Sequence, residues 1–248
     1  MNVSLYQAAA AMNANARWQE SISENLAAGS VPGARKREVS FSAIEAGLVR
    51  GLPNMPASRY VMPTANSYIN FQQGTVRPSA GPLDFALDGK GFFEIQLPNG
   101  SHAYTRDGEF HLNAQGQLLT KQGYPVLTDS GPAQFDPNIP SPITVSPTGE
   151  VSQGTEVKGR LRLVEFNDPQ KLTVLGDGYF LAENSELQSL TSDATRVHQG
   201  FIEGSNVSPT TDMAHLITAM RMFESNQRVM QMQDERMGRI ISELGNPS

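Results

Sequence analysis

Cysteine is absent from the 248 residues of this chain, and its absence excludes two kinds of site. Without a thiol the chain can form neither a disulfide framework nor a thiolate-based metal or nucleophilic site. Positive charge is also scarce, because 19 Lys and Arg residues face 25 Asp and Glu residues, which gives a formal net charge of −6 at pH 7. This balance argues against a nucleic-acid-binding surface. The one basic cluster, Arg-Lys-Arg at residues 35–37, follows a Pro-Gly turn and is predicted to be a solvated loop.

Long hydrophobic runs are missing as well. No stretch reaches the roughly 18 consecutive apolar residues that a membrane-spanning helix needs. The first residues lack both the basic region and the apolar core of a secretory signal peptide. The sequence therefore predicts no membrane insertion. If the protein leaves the cytoplasm, we expect it to use a route other than a cleaved signal peptide.

The end of the chain carries an apolar repeat that predicts one long helix. Alternating steps of three and four residues from Met213 to Leu244 meet apolar side chains at eight of ten positions, which is the repeat of a coiled-coil seam. Ser208 suits an N-cap, Pro209 suits the first helical position, and Gly245 is a stop signal. The alternative is a long helix that folds onto the protein's own core. The predicted seam residues are Met213, Leu216, Met220, Phe223, Met230, Met237, Ile241 and Leu244.

The start of the chain carries a shorter repeat of the same kind. Ser4 and Gln7 have the spacing of a capping box, and Gly29 ends the pattern. A single short Ala-rich helix is marginal in water, so we expect the two terminal seams to bury each other or copies of each other. The N-terminal share of this predicted assembly interface is Leu5, Met12, Ile22 and Leu26.

Between the helices the pattern changes to short strands separated by turn residues. Apolar and polar residues alternate from Gly81 onward, and Asn99-Gly100 is a strong hairpin signal. The predicted fold class is α+β, with N- and C-terminal helices that pair as a coiled coil and a central antiparallel β-rich domain of barrel-like or sandwich-like form.

The same patterns divide the chain into four parts. Residues 1–29 are predicted to be the N-terminal helix and residues 30–80 an extended, Pro-rich connection. Residues 81–200 are predicted to form the β domain and residues 201–248 the C-terminal helix. Within the connection, Phe41, Ile44 and Leu48 have the spacing of a helical turn.

The β region shows no pattern of catalytic or metal-binding residues. Asp88 and Asp107 each precede a glycine, where turn geometry alone favours Asp. His102 and His111 flank a hairpin without a third ligand at metal-like spacing. We therefore predict that the protein is not an enzyme and has no catalytic, cofactor-binding or metal site.

Three stretches resemble the bacterial flagellar rod and hook proteins. The hallmark segment of that family is resembled by the stretch GPLDFALDGKGFFEIQLPNGSHAYTRDGEFHLNAQGQLLTKQGYPVL of this chain. The C-terminal segment looks like QGFIEGSNVSPTTDMAHLITAMRMFESNQRVM, which includes Glu203-Gly204-Ser205-Asn206-Val207 ahead of the last helix. The N-terminal helix looks like SLYQAAAAMNANARWQESISENLA, with Asn25-Leu26-Ala27 in the expected place. One departure is Ala34, where the family usually carries an aromatic residue.

The resemblance implies a structural subunit of the flagellar basal-body rod that self-assembles into a helical axial tube through its terminal helices. The implied partners are copies of itself, other flagellar axial proteins of the rod and hook, and the flagellar type III export apparatus. The implied location is the periplasm-spanning rod, reached without a cleaved signal peptide. The size and the single β region favour the rod over the hook. Proximal-type and distal rod positions both stay open, with the short connection at residues 51–78 slightly favouring the former.

Two other functions stay open on the residues alone. A binding module would use the β domain for a ligand and the helices for dimerisation as a coiled coil, and it would form a discrete dimer in solution. An enzyme that cleaves peptidoglycan would need paired carboxylates in a cleft, and its activity would depend on Asp88 or Asp107.

Overall fold

The structure is a computed structural model that describes residues 3–49, 58–139, 141–182, 189–191 and 194–245. Helix α1 spans Val3–Ala28 and helix α2 spans Pro209–Gly245, with a short 3-10 helix at Pro169–Lys171. The strands between α1 and α2 are β1 (Lys36–Val49), β2 (Ser58–Asn70), β3 (Val76–Pro78), β4 (Phe85–Asp88), β5 (Phe92–Gln96), β6 (His102–Thr105), β7 (Phe110–Leu112), β8 (Leu118–Thr120), β9 (Leu127–Thr128), β10 (Gly131–Pro132), β11 (Ile143–Val145), β12 (Glu150–Gln153), β13 (Glu156–Arg160), β14 (Leu163–Phe166), β15 (Thr173–Gly176), β16 (Tyr179–Leu181), β17 (Ser189–Thr191), β18 (Arg196–Gln199) and β19 (Phe201–Glu203). The predicted order of helix, β-rich middle and helix is confirmed.

The chain forms two compact units. The first, called the helical unit below, contains Met1–Leu26, Arg37–Tyr68 and Ser208–Ser248. The second, called the β unit, contains Ala27–Lys36 and Ile69–Val207. Each unit is built from segments that are distant in sequence, so the chain passes from one unit to the other four times.

In the helical unit, α1 packs against a ribbon formed by β1 and β2. The side chain of Gln7 donates to the Val61 carbonyl at 3.0 Å, and the Trp18 ring meets the Phe41 ring edge-on, with 5.6 Å between the ring centroids. Two cross-strand contacts, Tyr68 with Glu38 and Ser40 with Asn66, run in opposite order along the two strands, as expected for an antiparallel pair.

The β1–β2 ribbon corrects one prediction. Phe41, Ile44 and Leu48 lie on strand β1 and form no helical turn. The spacing of three and four residues suggested a helix, but strand pairing with β2 supplies the backbone hydrogen bonds in this stretch. Residues 50–57 of the predicted connection lie outside the described residues.

The β unit is organised around a six-stranded sheet with the order β15-β16-β6-β5-β14-β17. Neighbouring residues of a strand point to opposite faces, so Phe92 and Phe93 of β5 enter different cores. The larger core contains Phe85, Leu87, Phe93, Ile95, Leu118, Leu161 and Leu163, and the smaller one contains Ile69, Phe92, Tyr104, Val164, Leu172 and Phe180.

The smaller sheets of the β unit are also antiparallel, and the described strands form no closed barrel. These sheets pair β18 with β4, β19 with β3, β7 with β8, β9 with β10, and β11 with β12 and β13. The barrel-like alternative of the predicted fold is therefore wrong. The strands are short and divide among several small sheets, and two of these sheets, β18 with β4 and β19 with β3, pair strands that are far apart in sequence.

Candidate assembly elements and the Glu203 cluster

Glu203 is the centre of a buried ionic cluster in the β unit. Its side chain is completely buried at the end of β19, and its carboxylate lies 2.6 Å from the Arg35 guanidinium and 3.2 Å from the Arg106 guanidinium. The backbone N–H of Gly74 donates to the same carboxylate at 2.9 Å, and the Gly33 N–H donates to the Glu203 carbonyl at 2.8 Å. Arg35, Gly74, Arg106 and Glu203 are called the Glu203 cluster below. This cluster ties together four segments that are far apart in sequence.

Arg106 is one of the two buried cations of the Glu203 cluster. Burial lowers the pKa of Arg106 to about 10, while the nearby Glu203 carboxylate acts in the opposite direction. The Arg106 side chain also donates to the Gly89 carbonyl at 2.5 Å and lies over the Phe92 ring, 5.1 Å from its centroid. The guanidinium therefore stays charged at neutral pH and is held by a carboxylate, a carbonyl and an aromatic face.

The position of Arg35 corrects the interpretation of residues 35–37 as a solvated loop. The Arg35 side chain is only 1% exposed, because it turns inward to Glu203. A basic residue beside a turn carries no local signal for burial, since its partner is 168 residues away in sequence. Ala34, the departure from the family pattern, is also buried.

Asn206 uses its whole side-chain amide to join three backbone segments of the β unit. Its NH₂ group donates to the Asn70 carbonyl at 2.8 Å and to the Gln72 carbonyl at 2.9 Å. Its oxygen accepts the Lys36 N–H at 2.6 Å. The residue thus connects the segment before α2 with the first residue of β1 and with the last residue of β2 and the segment after it.

Asn25 forms comparable side-chain hydrogen bonds with the backbone in the helical unit. It is buried on α1, where its NH₂ group donates to the Arg37 carbonyl at 2.8 Å and its oxygen accepts the Arg37 N–H at 2.7 Å. Asn25 and Asn206 therefore hold Arg37 and Lys36, which are consecutive residues at the start of β1. Both asparagines stood in the motifs that carried the family resemblance, but sequence reasoning gave them no role because their backbone partners are not local.

The predicted assembly residues of α1 fall on its protected side. Ile22 is buried, and Leu5, Met12 and Leu26 are half-buried. Trp18 lies between β1 and α2, because its ring also meets the His215 ring with 6.0 Å between centroids. The pairing of α1 with α2 as a coiled coil stays a prediction.

The predicted assembly residues of α2 divide between two faces. Leu216, Phe223 and Met230 are half-buried, whereas the side chain of Leu244 lies outside the described residues. The least exposed stripe of α2 is Asp212, Leu216, Ala219, Phe223, Asn226, Val229, Met230 and Gln233. Large apolar side chains on the rest of the helix are exposed, namely Met213, Ile217, Met220, Met222, Met232, Met237, Ile240 and Ile241. Sequence reasoning missed Ile217, Met222, Met232 and Ile240, because it searched for a single seam.

The aspartates considered for chemistry have structural surroundings. Asp107 is buried, and its carboxylate accepts the Glu109 N–H at 3.0 Å in a local turn. Burial raises the pKa of Asp107 to about 6, partly offset by that hydrogen bond. Asp88 is exposed at the end of β4, 4.0 Å from the His198 ring nitrogen.

The described part of the chain offers no metal site. Within it, no group of three or more His, Cys, Asp or Glu side chains has an arrangement that could hold a metal ion. Neither α1 nor α2, over the portions that the structure describes, is long and apolar enough to cross a membrane.

Comparison with known proteins agrees with the arrangement of the elements. Residues 86–153 match the family model of the flagellar hook protein FlgE/F/G D1 domain, and residues 198–243 match that of the flagellar basal body rod FlgEFG protein C-terminal region. The first of these ranges lies in the β unit, and the second runs from β18 into α2.

Individual relatives match over most of their length. The flagellar basal-body rod protein FlgF of Caulobacter vibrioides is 33% identical over 90% of this chain and 90% of its own. FlgF of Escherichia coli K12 is 30% identical over 96% and 97% of the two chains. FlgG of Borreliella burgdorferi is 32% identical over 68% and 67%. These matches confirm the predicted structural rather than enzymatic role and the location in the flagellar basal body, and the chain belongs to the family of flagellar basal-body rod proteins.

Proposed function

We propose that this rod subunit assembles through its terminal helices, with α2 supplying most of the buried surface. The observation that carries the proposal is the exposure of eight large apolar side chains on α2, between 41% and 66% for each. Soluble proteins rarely leave an extensive apolar surface on one element without a partner.

The energy available from this surface is large. Each side chain of this size contributes about 1.5–3 kcal/mol when it passes from exposed to fully buried. Eight of them supply on the order of 10 kcal/mol per subunit before the costs of association. Because these residues occupy more than one face of α2, the helix has surface for more than one neighbour.

The partners that fit this proposal are copies of the same chain and other flagellar axial proteins of the rod and hook. Contacts that repeat from copy to copy without closing a ring generate a helical assembly. Delivery by the flagellar type III export apparatus, without a cleaved signal peptide, belongs to the same proposal and is supported by family membership. Relatives named FlgF and FlgG both match, and the proposal leaves the rod position open between proximal and distal.

A matched pair of variants tests the role of α2. Ile217→Asp combined with Ile241→Asp places two charges in the exposed apolar surface. Thr218→Asp combined with Gln231→Asp places the same charges at exposed polar positions of the same helix. Each pair replaces the native residues in the bacterium that carries the gene, and rods are isolated for electron microscopy.

We expect the isoleucine variant to be exported, to fail to enter rods and to abolish swimming, whereas the control variant swims. Normal rods and swimming with both isoleucines replaced would contradict the proposal. A discrete and stable dimer of the wild-type chain that does not grow further would favour a ligand-binding module dimerised by its helices.

A further inference from the structure

The exposed surface of α2 has an unusual chemical composition. Of its eight exposed large apolar side chains, five are methionines: Met213, Met220, Met222, Met232 and Met237 are 57%, 53%, 48%, 60% and 43% exposed. They make up half of the ten methionines in the chain, which has no cysteine. Thioethers are therefore its only sulfur groups, and they are concentrated on the surface to which we assign assembly.

We propose that these five methionines make α2 an oxidation-sensitive surface, on which a hydroperoxide converts the thioethers to sulfoxides and thereby blocks assembly of the free subunit. This inference rests on the proposed function. In each event the sulfur lone pair attacks one peroxide oxygen, an S–O bond forms and the O–O bond breaks. With hydrogen peroxide the second oxygen leaves as water after proton transfer. The sulfur loses two electrons and the peroxide gains them.

The consequence follows from the change in polarity. A flexible apolar side chain becomes a polar one, and sulfoxides are known to disrupt methionine-rich interfaces. A sulfoxide oxygen is a strong hydrogen-bond acceptor, so burying it in an apolar contact without a donor is unfavourable. Several sulfoxides on one helix would therefore oppose burial of the whole surface.

Exposure predicts which methionines react first in the free chain. Met230 belongs to the least exposed stripe of α2, and Met12 lies on the protected side of α1. Because access limits thioether oxidation, we expect the five exposed methionines to react at least about threefold faster than these two. In assembled rods, where the surface is buried, the same five should react about tenfold more slowly than in the free chain.

The experiment uses the full chain. Purified subunit is treated with hydrogen peroxide, quenched and mapped by peptide mass spectrometry, and its assembly is followed by sedimentation and electron microscopy. One variant replaces the five exposed methionines with Leu, which keeps an apolar, helix-favouring side chain and removes the oxidisable sulfur. A second variant replaces them with Gln, which is polar without any treatment.

We expect oxidised wild-type chain to assemble at least about tenfold less than untreated chain, the Leu variant to assemble equally well with and without peroxide, and the Gln variant to fail without peroxide. Normal assembly of wild-type chain with all five sulfoxides present overturns the inference. An equal loss in the peroxide-treated Leu variant overturns it too, because the lesion then lies elsewhere. If untreated wild-type chain does not assemble, the proposed function itself fails and this inference falls with it.

Discussion

At the scale of single residues, Glu203 shows how a charge can be buried without being isolated. Its carboxylate is completely shielded from solvent but faces two guanidinium groups and one backbone N–H. A buried ion pair contributes little net stability compared with apolar residues of the same volume, yet removal of one partner leaves an uncompensated charge. The cluster therefore makes the β unit sensitive to any change of Glu203.

We predict that Glu203→Gln lowers the free energy of unfolding by about 3–5 kcal/mol, because Arg35 and Arg106 would remain charged and buried without a counter-ion. Thermal or denaturant unfolding of the purified chain measures the change. The control is Glu156→Gln, which removes the partner of Lys158 in a solvent-accessible ion pair, in which the Glu156 side chain is 64% exposed and the charged groups lie 2.9 Å apart. Exposed pairs contribute little, so the control should unfold like the wild type. Equal effects of the two substitutions would refute the role assigned to the cluster.

Asp107 predicts a pH dependence of stability. Burial raises the pKa of its carboxyl from the usual value of 3.8 to about 6 in the folded chain. Between these two values the folded state binds more protons than the unfolded state, so the stability of the fold decreases as the pH rises through this range. A shift of this size corresponds to on the order of 2–3 kcal/mol.

We expect Asp107→Asn to remove this contribution, because Asn is uncharged and can still accept the Glu109 N–H. Unfolding curves are recorded from about pH 4 to about pH 7, which covers the interval between the two pKa values of Asp107. Over this range the stability of Asp107→Asn should vary less with pH than that of the wild type. Asp88→Asn, at an exposed position, should leave the profile unchanged. If the Asp107→Asn chain loses stability over this window as steeply as the wild type does, other groups dominate the pH dependence.

At the scale of elements, two consecutive residues at the start of β1 are each bound by an asparagine side chain. Asn25 of α1 binds Arg37, and Asn206 binds the adjacent Lys36. Both side chains form hydrogen bonds with backbone groups at this end of the ribbon. Side-chain amides suit this position because they offer donors and an acceptor together.

We predict that Asn206→Asp destabilises the β unit by about 1–3 kcal/mol, because a carboxylate oxygen would face the Asn70 and Gln72 carbonyls in place of the donor. Near-ultraviolet circular dichroism during denaturation reports the loss. Asn99→Asp is the control, since the side-chain oxygen of Asn99 accepts from Ser101 and Asp supplies the same acceptor. If both substitutions are tolerated equally, the amide donors of Asn206 have no structural role.

We assign helix α2 a larger role in assembly of the rod than in folding of the subunit. Phe223 lies on the least exposed stripe of α2 and is the one aromatic residue of that stripe. If the assembled rod buries it fully, its replacement by Ala costs on the order of 3–5 kcal/mol per subunit. We expect Phe223→Asp to abolish rod completion and swimming while the melting temperature of the β unit is unchanged. If Phe223→Asp cells swim and Asp107→Asn cells do not, the assembly role of α2 and the purely structural role of Asp107 are both wrong.

At the scale of the whole molecule, both apolar cores lie in the β unit. The Glu203 cluster and Asn206 with its partners lie there too. The β unit therefore contains the interactions that a folded domain needs. The helical unit instead offers exposed apolar surface on α2.

We predict that limited proteolysis of the free subunit trims residues up to about Gly29 and beyond about Ser208, and that a resistant β fragment containing most of the β unit is retained. A chain of residues 27–207 should unfold cooperatively, with a melting temperature within a few degrees of the β-unit transition of the full chain. Mass spectrometry of the fragments and calorimetry of both chains provide the measurements. Uniform resistance to protease along the whole chain would show that assembly is not needed to protect the helices.

The sequence determined those features that depend on near neighbours along the chain. The beginning of α2 at Pro209 follows from cap and proline preferences within a few residues, and the strands of the β unit follow from alternation and glycine turns. These signals act over the same distances as the hydrogen bonds and turns that they predict. The family resemblance also rested on contiguous segments, and the comparisons bear it out.

Tertiary structure alone decided which distant groups meet. The sequence neighbours of Arg35 do not indicate that its charge is buried against Glu203. The sequence neighbours of Asn25 likewise do not indicate that it binds the backbone of β1. The β1–β2 ribbon was hidden for the same reason, since a strand is stabilised by a partner that local spacing does not reveal. On α2 the heptad repeat predicted the helix, but its exposed and protected faces depend on the elements that pack beside it. Burial and long-range pairing are properties of the folded arrangement. These properties give structural roles to Asn25, to Asn206 and to the charged residues of the Glu203 cluster.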